Sequence, residues 1–102
     1  MSWSISYSSQ AQADVRVAFR YYKEISESLG KYFLGELKNA EKAILNAPEG
    51  FQVRFFDRVR GYPLKKFPFL VLYVVVEKSV YLMAVFNTNQ NPNLMGRRLK
   101  SD

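Results

Sequence analysis

The chain has 102 residues, 48% of them apolar and 24% charged, with a net charge of +6. This is one domain, residues 1–102, of ordinary globular balance, which excludes a disordered tail, a collagen-like repeat and a coiled-coil rod. Cysteine and histidine are both absent, so disulfides, thiolate nucleophiles, Ser-His-Asp triads and Cys-His dyads are excluded, and any catalysis must use Lys, Arg, Tyr, Asp or Glu.

Trp3, Ile5 and Tyr7 alternate with serines, the period of a short strand with one apolar face. Ser9 with Gln12 fits a capping box. From there Val15, Ala18, Tyr22, Ile25 and Leu29 recur at helical spacing, predicting a helix over 10–29 with Gly30 as its left-handed C-cap. Phe33, Leu37, Ala40 and Ile44 predict a second helix over 31–47, stopped by Pro48 and Gly50. Gly35 within it is expected to mark close helix–helix contact, and the near-absence of a connection makes residues 10–47 a helical hairpin.

The second half changes period. Residues 51–60 alternate imperfectly as a strand, Gly61 and Pro63 interrupt it, and Leu64–Phe67 continues as an extended basic segment. Phe69–Val76 is a continuous apolar run, suited to a central strand buried on both faces. Glu77-Lys78 reads as a tight turn. Val80, Leu82, Ala84 and Phe86 form a fourth strand. Asn87–Asn93 reads as a loop, and 93–99 as one or two helical turns. The fold class is therefore α+β, in the order β-α-α-β-β-β. Its helical hairpin packs on one face of a mostly antiparallel four-stranded sheet, with a short C-terminal helix. The longest apolar run, Phe67–Val76, is too short to span a bilayer, and no basic segment precedes an apolar one at the start. A soluble cytoplasmic protein is expected.

Charge divides the chain as the periodicity does. Residues 1–50 carry six basic and six acidic side chains, and residues 51–102 carry nine and three, so the whole excess lies in the second half. Arg54, Arg58, Arg60, Lys65 and Lys66 are its densest stretch, opposed only by Asp57. Arg97, Arg98 and Lys100 form another. The asymmetry fits an anionic partner, or equally a solvated surface that aids solubility.

Four local signals carry a resemblance. Tyr7-Ser8-Ser9-Gln10-Ala11-Gln12-Ala13-Asp14-Val15 reads as an opening strand followed by alanine, aspartate and an apolar residue. Tyr21-Tyr22 is an aromatic pair on the first helix. Val59-Arg60-Gly61-Tyr62-Pro63-Leu64-Lys65-Lys66-Phe67-Pro68-Phe69-Leu70-Val71-Leu72-Tyr73 leads basic residues and Phe-Pro-Phe into a strand. Ala84-Val85-Phe86-Asn87-Thr88 with Pro92, Arg97 and Arg98 closes the chain. In this order they resemble the RelE/ParE superfamily of toxins from bacterial type II toxin–antitoxin (plasmid stabilization) systems, over essentially the whole chain. The resemblance implies a compact toxin bound in a hetero-oligomer by a cognate antitoxin. It would act either on the ribosome, by cleaving mRNA, or on DNA gyrase, as a non-enzymatic inhibitor. No cofactor, metal or membrane is implied.

RNA cleavage by its own 2′-hydroxyl needs a base, a cation for the phosphorane and an acid for the leaving oxygen. For a metal-independent endoribonuclease of this kind the candidates are Arg60, Lys65 and Arg97. Arg54, Arg58, Lys66, Asn87, Asn89 and Arg98 are candidates for holding target or phosphate. Tyr73 and Tyr81 are further proton donors in principle, although Tyr73, in an apolar strand, reads as core. Many members of the superfamily carry histidine where this chain has Asn89, and asparagine exchanges no proton near neutral pH. Nuclease members usually carry a tyrosine or histidine near the tail, and none follows Tyr81. Tyr62, Phe67 and Phe69, where exposed, would anchor an antitoxin. Two alternatives stand beside the toxin: a basic α+β module that binds nucleic acid through stacking aromatics, and an inactive relative.

Overall fold

The alternating serines and apolar residues of the first segment form β1 (Ser4–Tyr7), with Ile5 and Tyr7 turned inward. The computed structural model describes residues 2–90 and 93–94. Arg97, Arg98, Lys100 and most of the C-terminal helix expected over 93–99 lie outside the described residues, although Asn93 and Leu94 are helical.

Ser8, one residue before the serine expected, caps α1 (Ser9–Ile25): its Oγ accepts the Ala11 amide at 3.0 Å. Gln12 Nε2 reaches back to the Tyr7 carbonyl at 3.2 Å instead of closing a box with Ser9. Ser26 ends one helix and starts the next. Its N–H donates to Tyr22 O, and its Oγ accepts the Leu29 amide at the head of α2 (Glu27–Asn46). The hinge is thus extended backbone at Ser26, φ −162°, and Gly30 is not a left-handed cap. Gly30 lies buried a turn into α2, where a Cβ would stand 3.0 Å from Lys23 Cβ and 3.2 Å from the Phe19 ring. Gly35, expected at a helix contact, faces open space. Gly30 takes the close-contact role expected of Gly35, and neither glycine is required by φ. The stripe Phe33, Leu37, Ala40 and Ile44 is buried as its spacing predicts.

The segment expected as one strand over 51–60 folds back on itself. β2 (Val53–Phe55) and β3 (Val59–Pro63) join through Phe56 (φ 52°) and Asp57 (φ 61°), with Arg58 N–H donating to Phe55 O at 3.2 Å. Two successive left-handed residues make a type I′ hairpin turn. Gly61 and Pro63 therefore lie inside β3 rather than interrupting a strand. β4 (Phe69–Val76) and β5 (Ser79–Asn87) form the long central hairpin, turning at Glu77-Lys78 with Glu77 at φ 56°. The sheet has five strands, not four, in the order β1-β5-β4-β3-β2. Its pairings are antiparallel except for the parallel β1–β5 edge.

β4 is buried on both faces along most of its length. Phe69, Val71 and Tyr73 meet Phe33, Leu37, Ala40 and Ile44 of the helical layer. Leu70, Leu72 and Val74 join Val59, Ala84 and Phe86 in a second apolar cluster on the opposite face. The helical layer is fixed to the sheet by rings: Phe67 meets Tyr22 at 4.7 Å and Phe33 at 5.4 Å, both edge-on.

The glycine geometry yields a paired test. Gly35→Ala should raise unfolding stability by about 1 kcal/mol. Gly30→Ala should lower it, because the added methyl drives the helices apart at Lys23. Chemical denaturation of both variants decides the order, and a stabilised Gly30→Ala would contradict this packing.

Candidate functional site

β5 is longer than the strand beside it. β1 pairs Ser4–Tyr7 with Ser79–Leu82, and β5 continues to Asn87. The β4–β5 register breaks so that Tyr73 faces Leu82 but Leu72 faces Ala84, leaving Met83 as an extra residue. Beyond this bulge α1 replaces β1. Ser8 Oγ donates to the Met83 carbonyl at 3.0 Å, and Asp14 Oδ2 accepts the Val85 amide at 2.9 Å. Between the helix so held and the strand end lies a groove of about 350 Å³, lined by Asp14, Val17, Tyr21, Tyr22, Phe69, Asn87 and Asn89 among others. Tyr22 packs into the aromatic core, and burial pushes its phenol pKa up, with Tyr21 adding to the shift. Tyr21 stands 61% exposed, edge-on to Tyr22 at 5.1 Å. Asn87 and Asn89 come together at the groove mouth, where Asn87 Oδ1 accepts the Asn89 amide at 2.8 Å. This is a side-chain-closed turn, with the Asn87 carbonyl accepting from Gln90 N–H.

Arg60 lies opposite Tyr73 across the β3–β4 pair. Its Nη1 donates to Phe51 O at 2.7 Å and to Glu49 O at 3.1 Å. The Tyr73 hydroxyl donates to Pro48 O at 2.8 Å. Two side chains of the sheet thus pin the α2–β2 connection by three of its carbonyls, those of Pro48, Glu49 and Phe51. Burial pushes the Tyr73 phenol up to about 12, with the Arg60 charge pulling the other way. The Tyr7 hydroxyl of β1 donates to Glu41 of α2, and burial together with that carboxylate raises the Tyr7 pKa.

No family model and no curated protein sequence matches the chain. Among solved structures, a chain from a chromosomal ParDE toxin–antitoxin system of P. aeruginosa superposes with a TM-score of 0.73 at 16% identity, covering 83% of this chain and 95% of that one. The two chains share one fold. The likeness is one of architecture, and the side chains laid on it are this chain's own.

On this scaffold the expected basic residues separate. About 10 Å of strand runs from Arg60 to Pro63, and Lys65 and Lys66 lie exposed beyond it in the β3–β4 loop. Arg60 and Lys65 are not brought together, and Arg97 and Arg98 lie outside the described residues. Arg54 and Arg58 are exposed on either side of the β2–β3 turn. Tyr73 is core, and Tyr81 is partly exposed on β5. The expected anchors Phe67 and Phe69 are buried and Tyr62 is half-buried against Phe51, so the exposed rings are Tyr21, Tyr32, Phe56 and Tyr81 instead. The groove itself was not visible in sequence; the aspartate of the opening motif was its one signal. Among the described residues no three or more acidic side chains cluster to hold a metal ion, and no helix is long and apolar enough to cross a membrane.

Two measurements check this clamp. Arg60→Met should cost about 2 kcal/mol of stability, the worth of charged hydrogen bonds to carbonyls, read by denaturation. Alkaline melts should show stability falling as pH rises above the ordinary phenol pKa of 10.0, because the fold keeps Tyr73, with Tyr7 and Tyr22, protonated while the unfolded chain releases those protons. Tyr73→Phe should make the decline shallower.

Proposed function

We propose that this chain is the toxin component of a type II toxin–antitoxin module, held inactive by a cognate antitoxin, and that it arrests growth by binding its target, DNA gyrase, rather than by cutting RNA. The observation that carries the toxin reading is the fold likeness to a chain of a ParDE toxin–antitoxin system. Its compartment is the cytoplasm, where both partners and target reside.

The side chains support binding over cleavage. Strand scission needs a proton acceptor and a proton donor on either side of a cation. Arg60 spends Nη1 on two backbone carbonyls. The Tyr73 hydroxyl is turned onto Pro48 O and held protonated by burial. Asn89 exchanges no proton near neutral pH, and Lys65 sits past the end of β3, in the β3–β4 loop. Exposed arginines on a hairpin and lysines in a loop suit electrostatic contact with a large anionic surface, where charge steers the encounter.

Brief induced expression without an antitoxin, with transcript 5′ ends mapped, tests the reading. Growth arrest with intact transcripts is expected. New ends inside translated frames would replace the binding mechanism with ribosome-dependent cleavage, with Arg60, Lys65 and Arg97 as catalytic candidates. Undisturbed growth at full soluble expression would contradict the toxin reading.

A further inference from the structure

Phe56 stands where its local conformation gives no reason for phenylalanine. It occupies the first centre of the type I′ turn at φ 52°, a region that disfavours bulky side chains and that asparagine or glycine fills more readily. Core packing gives no reason either. Neighbouring Phe55 is the residue that packs against the Val59–Leu72 cluster, while Phe56 remains 50% exposed. A strained backbone that leaves an aromatic ring half in water, beside the Phe55 ring at 6.3 Å, is an observation that points toward a ligand.

The flanks supply the second half of the site. Arg54 and Arg58 are both exposed. Arg54 runs across Gly61 so closely that a Cβ there would stand 2.6 Å from its Cδ and 2.7 Å from its Nε. A side chain at 61 would displace the arginine, so the glycine seats it on the face opposite the helices. The register break between Val53 and Phe55 brings Arg54 and Phe55 to that same face. Asp57 is the one opposing charge in the stretch, set within the turn itself.

We propose that the tip of the β2–β3 hairpin binds single-stranded nucleic acid, with a base stacked on Phe56 and neighbouring phosphates held by Arg54 and Arg58. Every base offers a flat face to a ring, and arginine's planar fork suits phosphate oxygens. The net positive second half of the chain draws the polyanion in. An acidic protein segment would use the arginines and leave the ring without a stacking partner. The proposal stands apart from the toxin reading and survives or fails without it.

Fluorescence anisotropy with a labelled decauridylate tests it on the whole chain. Wild type should bind at low salt, with log K falling linearly in log salt. Phe56→Asn suits the left-handed turn, so it should melt at or above the wild-type temperature while losing about tenfold or more in affinity. Replacing Arg54 and Arg58 by glutamine should flatten the salt slope by about 1.4, near 0.7 per phosphate contact on a single strand. Absence of binding by wild type at low salt, or undiminished binding by a folded Phe56→Asn, would overturn the proposal. So would competition by polyglutamate as effective as by unlabelled oligonucleotide, which would assign the tip to an acidic protein.

Discussion

Asp14 accepts the Val85 amide proton at the point where β1 has ended, and Ser8 donates to the Met83 carbonyl just before it. These two bonds let a helix complete the edge that a four-residue strand leaves unfinished. Without them the bulged end of β5 would keep polar backbone groups against an apolar helix, at about 1–3 kcal/mol for each group left unmade. With them, α1 is fixed in angle and position, α2 follows through a one-residue hinge at Ser26, and the aromatic cluster around Phe33 and Phe67 closes beneath both helices. The groove beside Tyr21 is what remains between a helix so anchored and a strand that continues past it.

β4 divides what lies above the sheet from what lies below. Six of its eight residues are buried, so both apolar clusters share its backbone. Polar and charged groups are pushed to the rims: the asparagine turn at one end, the lysine loop beside it, and the arginine-flanked hairpin at the outer strands. Arg60 is the exception, drawn inward to hold the carbonyls of Glu49 and Phe51. A guanidinium serves there because it presents several donors in a fixed plane to the carbonyl oxygens of the loop.

The strong periodicities were legible. The alternating serines of β1, the stripe Phe33-Leu37-Ala40-Ile44 and the valine run of β4 lie where spacing puts them, and the α+β class with a hairpin on one sheet face follows from their order. What escaped depends on partners distant in sequence. A glycine's letter does not tell whether its missing side chain serves φ or space, so the close contact falls at Gly30 and not at Gly35. The β2–β3 turn lacks the Asn-Gly that announces such hairpins, so one strand was read for two. Arg60 looked like a free cation because its acceptors are backbone carbonyls nine and eleven residues away. Whether Phe67 and Phe69, flanking a proline beside two lysines, are exposed depends on Tyr22 and Phe33, which are distant in sequence and pack against them.

On the proposed reading the basic side chains hold a target and do not cleave one. The purified chain, titrated into a DNA gyrase supercoiling reaction and in parallel into translating ribosomes loaded with a defined mRNA, tests that most directly. Dose-dependent loss of supercoiling beside intact mRNA is the predicted result. Unimpaired supercoiling together with cleavage of the ribosome-bound mRNA would contradict it.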